Sequence, residues 1–318
     1  MKKHFKISIA VCILASLFVS PAFARQQLTF SGSQAGGTWF ILCGALAQIV
    51  NKYMPGYEAT PTPSSGAFEN VRNLRDGVID FAMMMPNVAN AARTGTHPWV
   101  DEKYEGMRAL FNAYTSPFML ITMETSDVHT VTDLINKRVA TGSPGSSEAS
   151  IFEIILPHYE MNINESFRRL PLSDVENSAA IVDGQVDAGI FITAVASPTI
   201  RELTTTHNVR FISIDPEVLA KVESEYPYFV KGEIPANTFR NQPEPVVTVV
   251  VWGQFVATEE TDEDLVYEFM TAVFDNRAEI DEFIHLFREM NNDNVTDGMA
   301  VPLHPGAIRF YTERGIAF

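Results

Sequence analysis

The chain has little cysteine. Only Cys12 and Cys43 occur among its 318 residues, and Cys12 lies in an N-terminal segment that we expect to be removed. A single remaining thiol excludes an intramolecular disulfide, so the stability of the fold has to come from buried apolar surface. A chain of this length can bury one large core or two medium ones.

Basic residues and long apolar runs are scarce as well. Lys and Arg number 23 against 39 Asp and Glu, which gives a formal net charge of −16. Such a charge excludes nucleic acids and anionic lipid surfaces as expected partners. It does not define the charge of a ligand, because a cleft can differ from the surface as a whole. No stretch beyond the N-terminal segment is long and apolar enough for a transmembrane helix, which predicts no direct membrane insertion.

Motifs for catalysis, metals and phosphates are missing too. The seven histidines form no H-E-x-x-H pair or close cluster, and no G-x-x-x-x-G-K-S/T loop occurs. The segment Gly145-Ser146-Ser147-Glu148-Ala149 resembles a G-x-S-x-G nucleophile turn, but it ends in alanine and has no HGGG-type companion. We therefore expect no catalytic residue, no metal and no cofactor. A secreted serine hydrolase that uses Ser147 is kept as a remote alternative.

The N-terminus has the three parts of an export signal. Lys2, Lys3 and Lys6 precede an uncharged, mostly apolar run at 7–19, and Pro21-Ala22-Phe23-Ala24 supplies the small residues of a cleavage site. We predict a signal peptide at 1–24, cleaved after Ala24, and a periplasmic mature protein. Apolar residues continue past Cys12, which disfavours lipidation there.

One unit of sequence occurs twice. Glu69-Asn70 is followed by Asp76-Gly77-Val78-Ile79-Asp80, and Glu176-Asn177 is followed at the same spacing by Asp183-Gly184-Gln185-Val186-Asp187. Each copy also follows a strand that runs into a glycine-serine loop. Two matching elements in register predict two α/β lobes of similar construction.

Strands alternating with helices predict an α/β fold with parallel sheets. Apolar runs at 118–123 and 246–255 are expected to cross between the lobes, with a ligand cleft between the two. The predicted lobes are 25–118 plus 250–318, including C-terminal helices whose N-cap is expected at Thr258, and 119–249. Within the copies we predict strands at 28–30, 57–60, 80–85, 138–140, 167–170 and 188–193, and helices at 38–53, 69–75, 147–158 and 175–183.

The glycine-serine loops are the best candidates for a binding site. In open α/β sheets, ligands bind outside the carboxyl ends of the strands, and uncapped N–H groups at helix starts favour anions. Hydroxyl groups in the loops add donors for a carboxylate, and neighbouring aromatic and methionine side chains could wall the pocket. The predicted ligand-binding residues are Ser33, Gly36, Gly37, Thr38, Trp39, Phe40, Ser64, Ser65, Met85, Tyr114, Ser143, Gly145, Ser146, Ser147 and Thr193.

Several of these motifs together resemble one family, the TAXI-type solute receptors of tripartite ATP-independent periplasmic (TRAP) transporters. The resemblance spans the chain after the signal segment, and its C-terminal motif is the most specific. The motifs are Gly32-Ser33-Gln34-Ala35-Gly36-Gly37-Thr38-Trp39-Phe40, Gly66-Ala67-Phe68-Glu69-Asn70, Lys137-Arg138-Val139-Ala140-Thr141-Gly142-Ser143-Pro144-Gly145-Ser146, Ile234-Pro235-Ala236 and Pro302-Leu303-His304-Pro305-Gly306-Ala307 with Tyr311-Thr312-Glu313-Arg314-Gly315.

The resemblance implies a type II periplasmic-binding-protein fold, no catalysis, a small organic anion such as a dicarboxylate, a 2-oxo acid or a glutamate-like amino acid, and delivery to TRAP membrane subunits. The chain departs from the family at Gly145-Ser146-Ser147-Glu148, where G-S-G-T is usual, and at Met85 and Asn87, where Gln and Asp are common. A less polar acid than glutamate is therefore possible. A binding protein of the same fold that serves an ATP-driven (ABC) transporter or a sensor kinase is the nearest alternative.

Overall fold

The computed structural model describes residues 25–96, 102–144 and 146–318. The predicted signal peptide and the candidate Gly145 lie outside the described residues. The strands are β1 (Gln26–Ser31), β2 (Tyr57–Thr62), β3 (Phe81–Met84), β4 (Met107–Met123), β5 (Arg138–Ala140), β6 (Arg168–Leu170), β7 (Ala188–Ile192), β8 (Val209–Ile212), β9 (Val230–Ile234) and β10 (Val246–Thr258). The helices are α1 (Thr38–Tyr53), α2 (Ala67–Arg75), α3 (Pro86–Thr94), α4 (Glu148–Ile155), α5 (Asp174–Val182), α6 (Pro198–Thr206), α7 (Pro216–Glu225), α8 (Glu263–Asp275), α9 (Arg277–Phe283) and α10 (Pro305–Arg314).

Each sequence copy forms a three-stranded parallel unit. In the first lobe β1 lies between β2 and β3 and runs parallel to both, and in the second lobe β5 lies in the same way between β6 and β7. The strand order through the whole molecule is β2-β1-β3-β10-β4-β7-β5-β6, with β8 beside β4 and β9 beside β10. The predicted α/β fold with two lobes is confirmed.

Two long strands connect the lobes. The first part of β4 pairs antiparallel with β10, and its last residues, from Phe118, pair with β7 and β8 of the second lobe. The first residues of β10 pair with β9, and its last residues lie beside β3. The crossing strands are longer than predicted because apolar residues continue on both sides of the crossing. The predicted lobe boundaries at 118 and 250 fall within these two strands and stay a prediction.

The repeated E-N pair has a structural role. Asn70 is fully buried and donates hydrogen bonds from Nδ2 to the carbonyls of Gly32 and Met83, at 2.8 and 3.0 Å. Asn177, also fully buried, donates from Nδ2 to the Ile190 carbonyl at 2.9 Å. In both lobes the amide thus ties a helix to the third strand of its unit, thirteen residues further along the chain.

The second aspartate of each D-G-x-x-D motif has a matching role. Asp80 accepts a hydrogen bond from the Thr29 N–H at 2.7 Å, and Asp187 accepts one from the Arg138 N–H at 2.7 Å. Each carboxylate therefore fixes the first strand of its unit beside the start of the third. The repeat therefore encodes the scaffold of each lobe, because its matching asparagine and aspartate residues hold helices and strands in place.

Aromatic side chains fill the core of the first lobe. The Phe30 ring lies 5.2 Å from Phe81, 5.6 Å from Phe255 and 5.6 Å from Phe269, in edge-to-face geometry. All four side chains are fully buried, and burying each one stabilises the fold by about 1.5–3 kcal/mol. This core holds β1, β3 and β10 together with α8 beneath the loops that follow the strands.

The predicted start of the C-terminal helices is wrong. Thr258 is the last residue of β10, and the N-cap of α8 is Asp262, whose carboxylate accepts a hydrogen bond from the Leu265 N–H at 2.9 Å. His304 caps α10 in a similar way, since its Nδ1 accepts from the Gly306 N–H at 3.1 Å. His304 therefore has a structural role in the C-terminal turn.

Candidate functional site

A cavity of about 530 Å³ lies between the lobes, where the loops that follow β1 and β5 face each other. These loops leave the carboxyl ends of the parallel strands, which is where α/β sheets bind ligands. Twelve of the fifteen predicted ligand-binding residues line it. They are Ser33, Gly36, Gly37, Thr38, Trp39, Ser65, Met85, Tyr114, Ser143, Ser146, Ser147 and Thr193.

The other three predicted residues are placed differently. Gly145 lies outside the described residues. Phe40 is half-buried on α1 and does not line the cavity. Ser64 is buried behind the wall, where its hydroxyl donates to the Gly32 carbonyl at 3.2 Å and accepts from the Gly66 N–H at 3.3 Å. The structure therefore gives Ser64 a place in the scaffold of the loop.

In the first lobe, the loop after β1 places the N-terminus of α1 at the cavity, and this N-terminus has no side-chain cap. Gly36 has φ = +86°, a left-handed conformation that favours glycine. A Cβ atom on Gly37 would lie 2.5 Å from Oγ of Ser33 and 3.1 Å from the Gln34 carbonyl oxygen, so a larger residue would require the Ser33 side chain to move. Gly37 is the N-cap of α1 and supplies no side-chain cap. The first N–H groups of α1 are thus free of a side-chain acceptor and can donate to a ligand.

Aromatic side chains form the floor on this side. Tyr114 on β4 is fully buried, and burial raises the pKa of its phenol well above the usual range, against a smaller lowering by the Thr38 side chain. Trp39 is also buried and packs on β10, since a Cβ atom on Gly253 would lie 3.2 Å from its Nε1. The floor therefore offers a neutral hydroxyl group and apolar surface.

The second-lobe loop presents another open helix start. Ser147 is the N-cap of α4, and its side chain makes no capping hydrogen bond. Oγ of Ser146 and Oε2 of Glu148 are buried and have no hydrogen-bond partner within the described part of the chain. Unsatisfied buried polar atoms are rare in folded proteins, so this corner is suited to a ligand that completes its hydrogen bonds.

Two further second-lobe helices reach the cavity with capped ends. Ser173 caps α5 through a capping box with Glu176, and Ser197 caps α6 by accepting from the Ile200 N–H. Ser173 and Ser197 each follow the carboxyl end of a strand. The expectation that ligands bind beyond these strand ends, which identified the glycine-serine loops, could therefore also have identified these two serines. Sequence reasoning missed Gln34, Ala35, Gly66, Ala67, Ser116, Glu148, Ser173, Asp174, Val175, Ile192, Ser197, Pro198, Thr199 and Glu202.

The side chains that line the cavity carry negative charge only. Glu148, Asp174 and Glu202 are among them, and no lysine, arginine or histidine of the described residues is. Burial raises the pKa of the Glu148 carboxyl. Burial also raises the pKa of the Asp174 carboxyl, and repulsion by Glu148 raises it further. The acidic groups are therefore concentrated on the second-lobe wall, opposite the open start of α1.

A serine hydrolase needs a base within reach of its nucleophile. The Ser147 carbonyl accepts a hydrogen bond from Ser150 Oγ at 2.8 Å, and no histidine is among the described residues at the cavity. No group of three or more His, Cys, Asp or Glu suited to a metal ion occurs within 25–96, 102–144 and 146–318. Across the same ranges, no helix has the length and apolar character needed to cross a membrane.

Solved structures with similar folds include solute-binding proteins. The aliphatic sulphonate binding protein SsuA from Escherichia coli aligns with 91% of this chain and 84% of its own length at 15% identity and a TM-score of 0.50. A TctC solute binding protein from Polaromonas aligns over 83% and 88% at 14% identity and a TM-score of 0.52. PhnD1 from Prochlorococcus marinus, in complex with methylphosphonate, aligns over 83% and 90% at 12% identity and a TM-score of 0.57. At these identities the likeness shows the fold alone.

The family model that describes NMT1-like proteins matches residues 30–315. The match covers both lobes and the connecting strands. The chain therefore belongs to the NMT1-like family.

Proposed function

We propose that this NMT1-like protein is a periplasmic receptor that captures a small organic solute between its lobes and delivers it to the membrane subunits of a TRAP transporter of the TAXI type. The observation that carries the proposal is the cavity itself, because loops from both lobes line it and helix starts without side-chain caps face it from each side. Its volume of about 530 Å³ is in the range of pockets for small molecules.

The first lobe is the proposed site for an anionic end of the solute. The free N–H groups at the start of α1 and the side chains of Ser33 and Thr38 offer hydrogen-bond donors, and Gly36 and Gly37 let a carboxylate approach the backbone. The dipole of α1 adds a favourable interaction with negative charge. We therefore keep the predicted carboxylate as one end of the ligand.

Closure of the lobes is the proposed mechanism. β4 and β10 cross between the lobes, so bending them would change the width of the cavity. A solute that contacts loops of both lobes favours the closed state, because only that state makes both sets of contacts. Membrane subunits that recognise the closed surface would then release the solute by reopening it.

A thermal-shift screen of the protein without residues 1–24 tests capture. Small carboxylates and amino acids are added singly at millimolar concentration. A ligand at about a hundred times its dissociation constant adds about 2.7 kcal/mol to the free energy of unfolding, which raises Tm by roughly 5–10 °C at this size. Thr38→Val, which removes a hydroxyl from the lining, should reduce the shift. Thr205→Val, on α6 but outside the lining, should not. Flat traces across the panel would contradict the proposal.

The transporter partner needs a separate test. The bound solute is offered to proteoliposomes that contain the proposed TRAP membrane subunits. Uptake driven by an ion gradient and dependent on the receptor is the expected result. Uptake that requires ATP and ABC subunits instead would keep the receptor function and reject the TRAP assignment.

A further inference from the structure

Two carboxyl groups occupy equivalent places on the second-lobe wall of the cavity. Glu148 is the first residue of α4, and Asp174 is the first residue of α5. Both line the cavity. They are near enough for the charge of Glu148 to act on the carboxyl group of Asp174. We call these two side chains the acidic pair.

Glu148 is buried and lacks a partner. The residue is 9% exposed, and neither its Oε2 nor the buried Oγ of Ser146 has a hydrogen-bond partner in the described structure. Both oxygens lie beside Gly142, where a Cβ atom would be 2.6 Å from Ser146 Oγ and 2.9 Å from Glu148 Oε2. Gly142 has φ = +83°. The loop therefore encloses a hydroxyl group and a carboxylate oxygen, and the interaction with Ser146 lowers the pKa of Glu148 less than burial raises it.

The protein itself does not neutralise the acidic pair. Within the described residues neither carboxylate forms a salt bridge, although Lys and Arg pair with acids elsewhere on the surface, for example Arg138 with Asp187 at 2.7 Å. Glu202, the third acid at the cavity, is exposed and adds more negative charge. Burial of an unpaired carboxyl group costs free energy, so the pair does not stabilise the fold.

The charge of a solute determines whether it can bind beside Glu148 and Asp174. Burial and repulsion by Glu148 raise the pKa of Asp174 to about 8, so a dicarboxylate could place its second carboxylate here only against protonated acids, whereas a cation binds and favours their ionised forms. A metal ion lacks a third ligand among the described residues. A protonated nitrogen would supply the missing donors and the missing charge together.

We propose that Glu148 and Asp174 form a subsite for a positively charged nitrogen group of the solute, so the ligand is a zwitterion with its carboxylate at the first lobe and its ammonium group at the second. The inference rests on the proposed function, since it assigns the ligand class of the same cavity. A dicarboxylate or 2-oxo acid without an amine is not a ligand of this site.

Matched pairs of solutes test the subsite. Each probe is an amino acid and the acid that lacks only its amine, such as glutamate with glutarate, 5-aminovalerate with valerate, and leucine with 4-methylpentanoate. Binding to the protein without residues 1–24 is measured by calorimetry at pH 7.5. The amine-bearing member should bind, and its partner should bind at least about thirtyfold more weakly, as expected when one side of a buried charge pair is lost.

Variants of Glu148 and Asp174 test whether the preference for the amine depends on these two side chains. Glu148→Gln keeps the shape and removes the charge, and it should weaken binding of the amino acid at least about thirtyfold. Asp174→Asn is the second, independent variant with the same expectation. Glu165→Gln is the control, because this exposed second-lobe residue lies outside the cavity lining and changes the net charge equally. Circular dichroism verifies that each variant is folded.

The outcomes separate the two proposals. Equal binding of an amino acid and its amine-free partner, or unchanged binding in Glu148→Gln and Asp174→Asn, would overturn the subsite and leave the receptor function standing. Tight binding of amine-free acids alone would also overturn the subsite and leave the receptor function standing. Failure of every solute to bind would reject the proposed function, and the subsite with it.

Discussion

At the scale of single residues, Glu148 costs the unliganded protein stability. An unfolded glutamate ionises near pH 4.3, whereas burial raises the pKa of Glu148 in the fold. The unfolded state therefore loses its proton first as the pH rises, and the free energy of unfolding falls between the two pKa values. Below both values the carboxyl group is neutral in either state and carries no such cost.

Glu148→Gln should therefore stabilise the protein in the absence of solute. The free energy of unfolding at pH 7.5 is expected to rise by about 1–2 kcal/mol, and the gain should vanish near pH 4. Urea unfolding at several pH values measures both. A variant that is less stable than the native protein at pH 7.5, or a gain that does not depend on pH, would contradict this assignment of the carboxyl group.

The two buried asparagines of the repeat differ by one hydrogen bond. Asn70 Oδ1 accepts from Ser31 Oγ at 3.0 Å, whereas Asn177 Oδ1 is buried without a partner in the described structure. The position in the second lobe that corresponds to Ser31 is Ala140, which is fully buried and pairs with Gly189 as Ser31 pairs with Ala82. The missing hydroxyl explains the unpaired oxygen.

Ala140→Ser should supply that hydroxyl. The expected gain in the free energy of unfolding is about 0.5–1.5 kcal/mol. The same serine in an Asn177→Ala background is the control and should give no gain, so a double-mutant cycle isolates the new bond. Equal effects in both backgrounds would mean that the serine does not bond to Asn177.

At the scale of elements, carboxylates hold the strands of each unit in register. Asp187 accepts from the Arg138 N–H at 2.7 Å and forms a bidentate pair with its guanidinium, from Nε at 3.1 Å and Nη2 at 2.7 Å. The hydrogen bond to the Arg138 side chain is the main cause of the lowered pKa of this carboxyl group. β5 is only three residues long, so this contact is a large share of what fixes it beside β7.

Asp187→Ala should lower the free energy of unfolding by about 1–3 kcal/mol, because it leaves a buried strand N–H without an acceptor. Asp187→Asn, which keeps an acceptor oxygen, should cost less. Asp183→Ala, at an exposed position of the same motif, is the control. Since the folded pKa of Asp187 is lowered, its contribution is complete above the unfolded pKa and is lost as the pH falls toward the folded one. Equal losses for Asp187→Ala and Asp183→Ala in urea unfolding would contradict the role.

Local signals predicted most of these elements. The bounds of α1 and of β5 are as expected, because apolar spacing in one case and a short β-branched strand before a glycine in the other define them locally. The start of α8 was misplaced because Thr258 and Asp262 are both good N-caps, and only pairing of β10 with β4 up to Thr258 decides between them. Chain-local patterns cannot decide such a choice.

The site was predicted less completely than the scaffold. The glycine-serine loops have a local signature, so their residues were found. Glu148 and Asp174 come together only when α4 and α5 begin at the same wall, and nothing local in Ser146-Ser147-Glu148 or Ser173-Asp174 shows that distance. The predicted preference for an anion followed the loops alone, because the charge of the opposite wall depends on tertiary structure.

At the scale of the whole molecule, a buried contact joins the lobes behind the cavity. Asn87 on α3 donates from Nδ2 to Ser150 Oγ on α4 at 2.8 Å, and both residues are buried. Neither residue lines the cavity. Under the proposed mechanism, separation of the lobes would break this contact, so the contact would favour the closed state.

Ser150→Ala should weaken solute binding without touching the solute. Loss of about 1 kcal/mol from the closed state lowers the apparent affinity about fivefold. Ser178→Ala, on α5 of the same lobe, is the control and should bind as the native protein does. Calorimetry with a solute from the thermal-shift screen measures the effect, and unchanged affinity in Ser150→Ala would show that this contact does not bias closure.

Small-angle X-ray scattering, with and without a solute that raises Tm, tests most directly whether the protein captures its ligand by closing two lobes around it. The account predicts that the radius of gyration falls when the solute binds, and that it stays unchanged when the same solute is added to Glu148→Gln at a concentration below the weakened dissociation constant. A radius of gyration that does not change while the native protein binds the solute would contradict capture by closure.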